Sequence, residues 1–509
     1  MPRRNLVADT NDKSEWPRGN GFARQIGELA WKYLEMIRGK DAVRLWIAVS
    51  VASLEAVLPL GSSAFAQDGA VCDTESRVSC DDSLNSDGCD GFSVYGAKQS
   101  IWTRDTLTGD WGGRRSALKE SGITFAGRST HFGFGVEGGI QAPPPVPLLG
   151  LGDTFKYTGR GEYDLIFDLE KFGGLPKGTL LARAEHWYGE YGNVSLRTGA
   201  FPPPVFPAAL PPTPQDPGQL FLSNFVVTQP LSPELVVYAG KIDVVGGVDQ
   251  DDFAGGDGTT QFVNQALIAN PAFLLGLPYS SFTAGVVLPR EWGRMTTYVL
   301  DPQNRIRDFF EIDDLFSQGV IVGGEIKRNT QFFDKKGDIH VGGIWKHLDQ
   351  TDLRFNEPPP GVYPQPVVPG FATLSNAYTI YVGGDQYFVQ FADKPERGYG
   401  LFYRGSISDG NPTPLRYFLS AGLGGYSPLR KDRGDKFGLG WYYLGASNEF
   451  GPIPQAVFGP RDGTGVEMFY SFQATPWMAI SPDVQYIKPE ASALAEDAFV
   501  YGVRINAVF

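Results

Sequence analysis

The sequence predicts an all-β fold: a transmembrane antiparallel barrel of about sixteen strands with a short N-terminal helix on the periplasmic side. Three observations carry this expectation. The first is the C-terminal segment Ala498 to Phe509. There Phe499, Tyr501, Val503, Ile505, Ala507 and Phe509 fall on one face of an extended chain, and Arg504 and Asn506 fall on the other. A barrel in a bilayer turns such an apolar face to lipid and keeps the polar face in its lumen. The second is that this alternation recurs along the chain, without the uninterrupted runs of about 20 apolar residues that spanning helices need. The third is a leader that reads as a secretory signal.

Composition agrees. The 509 residues are 42% hydrophobic, 13% aromatic and include 64 glycines. Alternating faces average to that polarity, aromatics suit the girdles at the two membrane interfaces, and glycine suits turns and close strand packing. The formal net charge of -13 argues against nucleic acid as a partner, because phosphate binding needs a basic face.

Residues 1–66 form the leader. Arg38, Lys40 and Arg44 precede an apolar region at about 45–60, and Ala64-Phe65-Ala66 supplies a small-residue cleavage site. Glu55 and Pro59 interrupt the apolar stretch, which weighs against a membrane anchor. Met36 is an alternative start. Residues 67–102 read as a flexible arm rich in Asp, Ser and Gly, carrying Cys72, Cys80 and Cys89. With no histidine beside them, these cysteines predict one local disulfide with a thiol left over rather than a zinc site.

The barrel is expected over 103–509. Asp110 is placed to cap a short helix running towards Glu120, with Gly122 just past its end. Strand patterning then appears at 123–128, 162–170, 178–188, 233–243, 281–289, 294–301, 317–327 and 337–347. It continues at 378–391, 399–404, 415–424, 437–443, 466–472, 478–487 and 498–509. Closed bacterial barrels have even strand counts, so a sixteenth strand is expected, at Phe221 to Thr228. Three long proline-rich connections, 141–152, 199–217 and 356–370, are read as outer loops, some of them able to fold into the lumen.

Several blocks resemble one family. Leu107-Thr108-Gly109-Asp110-Trp111-Gly112-Gly113 is similar to the N-terminal signature of the OprB-type carbohydrate-selective porins. Asp252-Phe253-Ala254 followed by Gln261-Phe262-Val263-Asn264 resembles their middle segment. Ser427-Pro428-Leu429, Asp435 through Tyr443, Gly465 through Tyr470, Thr475-Pro476-Trp477 and Pro482 through Ile487 resemble later blocks in the same order. The resemblance runs from about Thr103 to Phe509. It implies a barrel of about sixteen strands in the bacterial outer membrane through which sugars, such as glucose and other monosaccharides, diffuse passively. Membrane lipid and the barrel-assembly machinery, the latter through Phe509, are the expected partners, and a homotrimer is an assembly the chain allows. The long leader, the cysteine-bearing arm and the proline-rich loops depart from the family pattern.

Alternation nominates the lumen wall. Arg183, Glu185 and Trp187 share a face opposite Leu180, Ala182 and Ala184. Lys241 shares a face with Asp243, and Glu325 with Lys327; Arg128, Arg404, Glu467 and Arg504 point inward by the same rule. Arg183, Glu185, Trp187, Lys241, Asp243, Arg404 and Glu467 are therefore the candidate sugar-contacting residues. Charged pairs in a barrel more often brace its wall than bind solute, so facing water is the firmer expectation. Trp187 either stacks on a sugar ring or joins an interfacial girdle.

Enzyme chemistry finds little support, and no cofactor or metal is called for. His131, His186, His340 and His347 show no H-E-x-x-H spacing, and neither a Gly-x-Ser-x-Gly elbow nor a phosphate-cradling glycine loop is present. Asp251 and Asp252 resemble a carboxylate pair, but an acidic loop with at most a loosely held cation is the expectation. The alternatives to a porin are a barrel-embedded hydrolase and a structural or adhesive barrel with a plugged lumen.

Overall fold

The computed structural model describes residues 100–141, 154–189, 194–206, 220–306, 312–354 and 372–509. The leader, its cleavage site, the three cysteines and most of the proline-rich connections lie outside the described residues.

Sixteen strands close into one barrel, each antiparallel to its neighbours. They are β1 (Ile123–Ile140), β2 (Phe155–Asp168), β3 (Thr179–Gly189), β4 (Leu220–Ser232), β5 (Leu235–Asp243), β6 (Ser280–Arg290), β7 (Gly293–Leu300) and β8 (Gly319–Phe332). There follow β9 (Lys335–Thr351), β10 (Thr373–Phe391), β11 (Lys394–Ser408), β12 (Leu415–Tyr426), β13 (Lys436–Ala446), β14 (Gly463–Thr475), β15 (Met478–Lys488) and β16 (Ala495–Val508). Pairing of β1 with β16, Arg128 opposite Val508 through Ile140 opposite Ala495, completes the circle and leaves no open edge. The strand expected at 221–228 is β4. Strand β1 is far longer than its expected six residues. Its glycines interrupt the side-chain pattern, yet its backbone is paired on both sides, to β2 and to β16.

The faces fall as alternation requires. Phe499, Tyr501, Val503 and Ile505 are exposed on the outside, while Val500, Arg504 and Asn506 are buried within. Outward Leu439, Trp441, Val466 and Met468 continue the apolar belt on β13 and β14. One end of the barrel carries two-residue turns at 233–234, 291–292, 333–334, 392–393 and 476–477; the other carries longer connections such as 244–279. In outer-membrane barrels the short turns face the periplasm and the long loops face outward.

The N-terminal helix, α1 (Arg114–Glu120), sits at the turn end behind a 3₁₀ turn at Trp111–Gly113. Its N-cap position is Gly113, but Asp110 still acts as the cap, accepting from both the backbone N–H and the hydroxyl of Ser116. Gly122, with φ of 97°, turns the chain into β1. Arg115 donates to the carbonyls of Phe125 and Phe509, and the Phe509 backbone pairs with Gly127. Helix and C-terminus are thereby tied to the same rim.

The lumen is partly filled by residues 244–279, the connection between β5 and β6. This segment lies outside the three proline-rich connections that the sequence singles out. It contains two one-turn helices, α2 (Gln265–Ile268) and α3 (Pro271–Leu274), capped by Asn264 and Asn270. Phe253, Phe262 and Leu267 pack against inward Phe402, Phe418, Tyr442 and Phe469. Ile268, Phe273 and Leu274 pack against Tyr298, Ile321, Ile344 and Tyr381. Burying each of these large side chains contributes about 1.5–3 kcal/mol, so the segment is seated as a core is. The wall makes room with glycine: a Cβ on Gly438 would come within 2.6 Å of the Phe262 ring and 2.4 Å of the Phe469 ring.

Candidate functional site

Two sets of polar side chains line the inner wall, and they do different things. The first set anchors the β5–β6 segment. Arg404 of β11 is fully buried and donates to the backbone carbonyls of Leu267, Asp249 and Ala254, while its Nε lies 3.0 Å from Asp251. Glu467 of β14 is also fully buried and accepts the N–H groups of Val263 at 2.7 Å and Asn264 at 2.9 Å. Arg504 donates to the carbonyls of Gly258 and Gln261. Glu325 accepts from the Asp249 N–H and the Tyr381 hydroxyl, and Lys327 donates to Gln250 and pairs with Asp338 at 2.8 Å. An irregular backbone segment cannot be buried with its amides and carbonyls unpaired, and these wall residues supply the partners.

The second set is an alternating ladder on β1, β2 and β3. Arg128 lies 2.5 Å from both Glu162 and Asp257. Arg160 lies 3.1 Å from Glu185, 3.2 Å from Glu162 and 3.7 Å from Asp243. Arg183 pairs with Asp164 at 2.7 Å and reaches Glu162 at 3.7 Å. Within this ladder the side chains of Arg128 and Arg183 remain about a quarter exposed, and those of Asp257 and Asp164 about a fifth. Burial pushes the Asp257 carboxyl up, but Arg128 and Arg160 reverse this and hold it below the usual carboxylate range. It therefore stays ionised. Across the lumen segment, Asp252 is 3.0 Å from Lys336, and both are more than a third exposed. Burial raises the Asp252 carboxyl, while Lys336 and a hydrogen bond from Tyr387 lower it to a value below the ordinary one.

The expected site residues are thus divided. Arg183 faces open lumen. Glu185 and Trp187 do share its face, but Glu185 is buried beneath Arg160 and the Tyr279 hydroxyl. The Trp187 indole N–H donates to Glu185, and its ring packs edge-on against Phe221 and Tyr279. Asp243 accepts from the Val245 N–H beside Arg160. Lys241 is buried on β5 next to Gly240, with Phe225 and Phe282 as its ladder neighbours. Arg404 and Glu467 are spent on the segment. Arg160 is the central cation that the alternation does not single out: it stands two residues before Glu162 on the same face of β2, whose strand pattern is regular only from Glu162 onward.

At the outer mouth, Glu490 is fully buried between β15 and β16 and accepts the Phe201 N–H at 2.8 Å. It holds residues 194–206 inward, where Phe206 bonds to Val263 and Gln265 bonds to Pro203. Among the described residues, Asp251, Asp338 and His340 bring potential metal-ligand atoms within 4.8 Å of one another.

The geometry is that of a channel narrowed by a segment folded back into it and braced by charged pairs. A family model described as carbohydrate-selective porin, OprB family, matches residues 153–509. No curated protein matches the chain. Among solved structures, it resembles Pseudomonas putida OprB at high pH, with 18% identity and a TM-score of 0.66 over 81% of this chain and 100% of that one. The low-pH structure of the same porin aligns at 15% identity with a TM-score of 0.47, over 80% of this chain and 99% of that one. At such identity the first likeness is one of fold.

Proposed function

This chain belongs to the OprB family of carbohydrate-selective porins of the bacterial outer membrane, and on that premise we propose that monosaccharides such as glucose pass it by diffusion beside the β5–β6 segment. The observation that carries this reading is the Arg128–Asp257 and Arg183–Asp164 ladder, whose members keep part of their polar surface open to the lumen. Alternating donors and acceptors replace the hydration of sugar hydroxyls, while pairing of each charge with its opposite keeps the binding weak enough for release. We assign solute contact to Arg128, Arg183, Asp164 and Asp257. Glu185, Trp187, Asp243 and Arg160 act as positioning residues that hold the ladder, Lys241 braces the wall beside them, and Arg404 and Glu467 hold the segment that sets the width. Family and fold are those of a non-enzymatic channel, and no catalytic step is assigned to any of these groups.

Delivery by the leader 1–66, recognition of Phe509 by the barrel-assembly machinery and assembly as a homotrimer belong to the same reading. The placement of Phe509 at the turn end, with its ring beside Tyr163, supports the second. Single-channel recording in planar bilayers tests the function: discrete steps in KCl that fall saturably as glucose is added are expected. Absence of steps, or an effect of glucose no larger than that of viscosity, contradicts it.

A further inference from the structure

Strand β9 places Asp338 and His340 two residues apart, so both side chains enter the lumen from one face. The β5–β6 segment brings Asp251 against them. His340 Nδ1 stands 3.5 Å from Asp251 Oδ1 and 3.5 Å from Asp338 Oδ1. The side chains of His340 and Asp251 are 0% exposed and that of Asp338 is 9% exposed. None of these three atoms has a hydrogen-bond partner among the described residues. A separation of 3.5 Å is long for a hydrogen bond between such groups.

The opposite edge of each group is held. His340 Nε2 faces Asp249 Oδ1 at 3.3 Å. Asp251 Oδ2 meets Arg404 Nε at 3.0 Å, and Asp338 Oδ2 meets Lys327 Nζ at 2.8 Å. Asp249 is itself fixed, because its Oδ2 accepts the Asn270 N–H at 2.6 Å. The three donor atoms thus lie within 4.8 Å of one another, each group with a charged partner on its other edge.

We propose that His340 Nδ1, Asp251 Oδ1 and Asp338 Oδ1 form a three-ligand site for a divalent transition-metal cation of the zinc class, which ties the β5–β6 segment to β9. Ligands on bonds of about 2.1 Å lie about 3.4 Å apart in a tetrahedral arrangement, and about 3.0 Å apart in an octahedral one. The 3.5 Å spacings from Nδ1 match the tetrahedral case. One imidazole with two carboxylates suits zinc and its neighbours, whereas calcium and magnesium take all-oxygen shells. The carboxylate of Asp249 behind the far ring nitrogen is the outer partner that metal-bound histidines regularly have. Two ligands come from the wall and one from the inward segment, so the cation closes a cross-link that packing alone does not make. Entry is from the lumen side, where neighbouring Asp252 and Lys336 are exposed. The site is independent of which solute the pore carries.

The test uses the full chain, refolded in detergent with several equivalents of zinc and then passed over a chelating resin. Retained metal is counted by mass spectrometry. One more equivalent is expected on the wild type than on His340→Gln or Asp251→Asn, with all three proteins showing the heat-modifiable gel mobility of a closed barrel. Cobalt refolded in place of zinc is expected to give the intense visible absorption of a four-coordinate ion in the wild type, and Asp338→Asn is expected to lose it. The comparison with the variants removes any contribution from Cys72, Cys80 and Cys89. Equal zinc on wild type and variants overturns the proposal. So does a folded wild type that retains no zinc and shows no such cobalt band, since a protonated His340 then fills the role of the cation. A chain carrying Cys72→Ser, Cys80→Ser and Cys89→Ser with the three ligands intact is expected to keep the cobalt band, so the test stands even if a ligand variant does not fold.

Discussion

Replacing Glu467 with alanine removes the acceptor for two backbone N–H groups, those of Val263 and Asn264. Both residues are buried, 1% and 0% exposed, so water does not substitute for the lost carboxylate. An unpaired buried amide costs about 1–3 kcal/mol, and two cost about 2–6 kcal/mol. Since about 1.4 kcal/mol is a factor of ten, release of the 244–279 segment is favoured by about thirty-fold to ten-thousand-fold. The barrel itself is spared, because β14 keeps its backbone ladders to β13 and β15. The segment contains Phe253, Phe262 and Phe273 and no Lys or Arg, so chymotrypsin is the suitable probe. The Glu467→Ala protein is expected to keep its heat-modifiable mobility, to be cut by chymotrypsin within 244–279, and to give larger and noisier conductance steps than the wild type. A folded variant with wild-type conductance and an uncut segment would refute the anchoring role of Glu467.

Three further outcomes follow from the same contacts. Gly438→Val places a branched side chain where even a Cβ would lie 2.6 Å from the Phe262 ring, so the segment is displaced, and increased exchange of the Val263 and Asn264 amides in hydrogen-exchange measurements reports it. Arg183→Gln removes a partly exposed lumen cation and leaves Asp164 unpaired, which shifts the zero-current potential in a KCl gradient towards cation selectivity without loss of the folded barrel. Burial pushes Glu490 up from its ordinary 4.5 to about 7 against the Phe201 N–H, which favours the ionised carboxylate, so the stability of seating this side chain is fully present below about pH 4.5 and is lost as pH rises through about 7. That difference is about 3 kcal/mol. Protection of the Phe201 amide, taken relative to its base-catalysed intrinsic exchange rate at each pH, is expected to fall over that range in the wild type and to stay constant in Glu490→Gln.

The period-two pattern exposed the wall because each strand must satisfy lipid on one side and the lumen on the other. It placed Arg128, Arg183, Arg404, Glu467 and Arg504 inward, and it led to β4 through the strand count. It did not show what most of these residues face, because their partners are more than a hundred positions away: Arg404 binds Leu267, and Glu467 binds Val263. A signal for the segment was nevertheless present. Phe402, Tyr442 and Phe469 stand on the lumen side of their strands, where a water-filled pore has no use for aromatic rings, and they mark where Phe253, Phe262 and Leu267 are seated. Proline-rich length drew attention to other connections instead. The pair Asp338 and His340 does not show the helical i, i+4 metal spacing, because a strand brings together residues i and i+2.

The central claim is that a lumen narrowed by the β5–β6 segment, and not blocked by it, conducts sugar. Swelling of liposomes containing the purified chain, transferred into isotonic glucose and into an isotonic trisaccharide, tests this most directly. Rapid swelling in glucose and slow swelling in the trisaccharide, with the difference narrowed in Glu467→Ala, is the predicted result. Liposomes that keep their size in glucose with the folded barrel present, or that swell equally fast in both sugars, would contradict it.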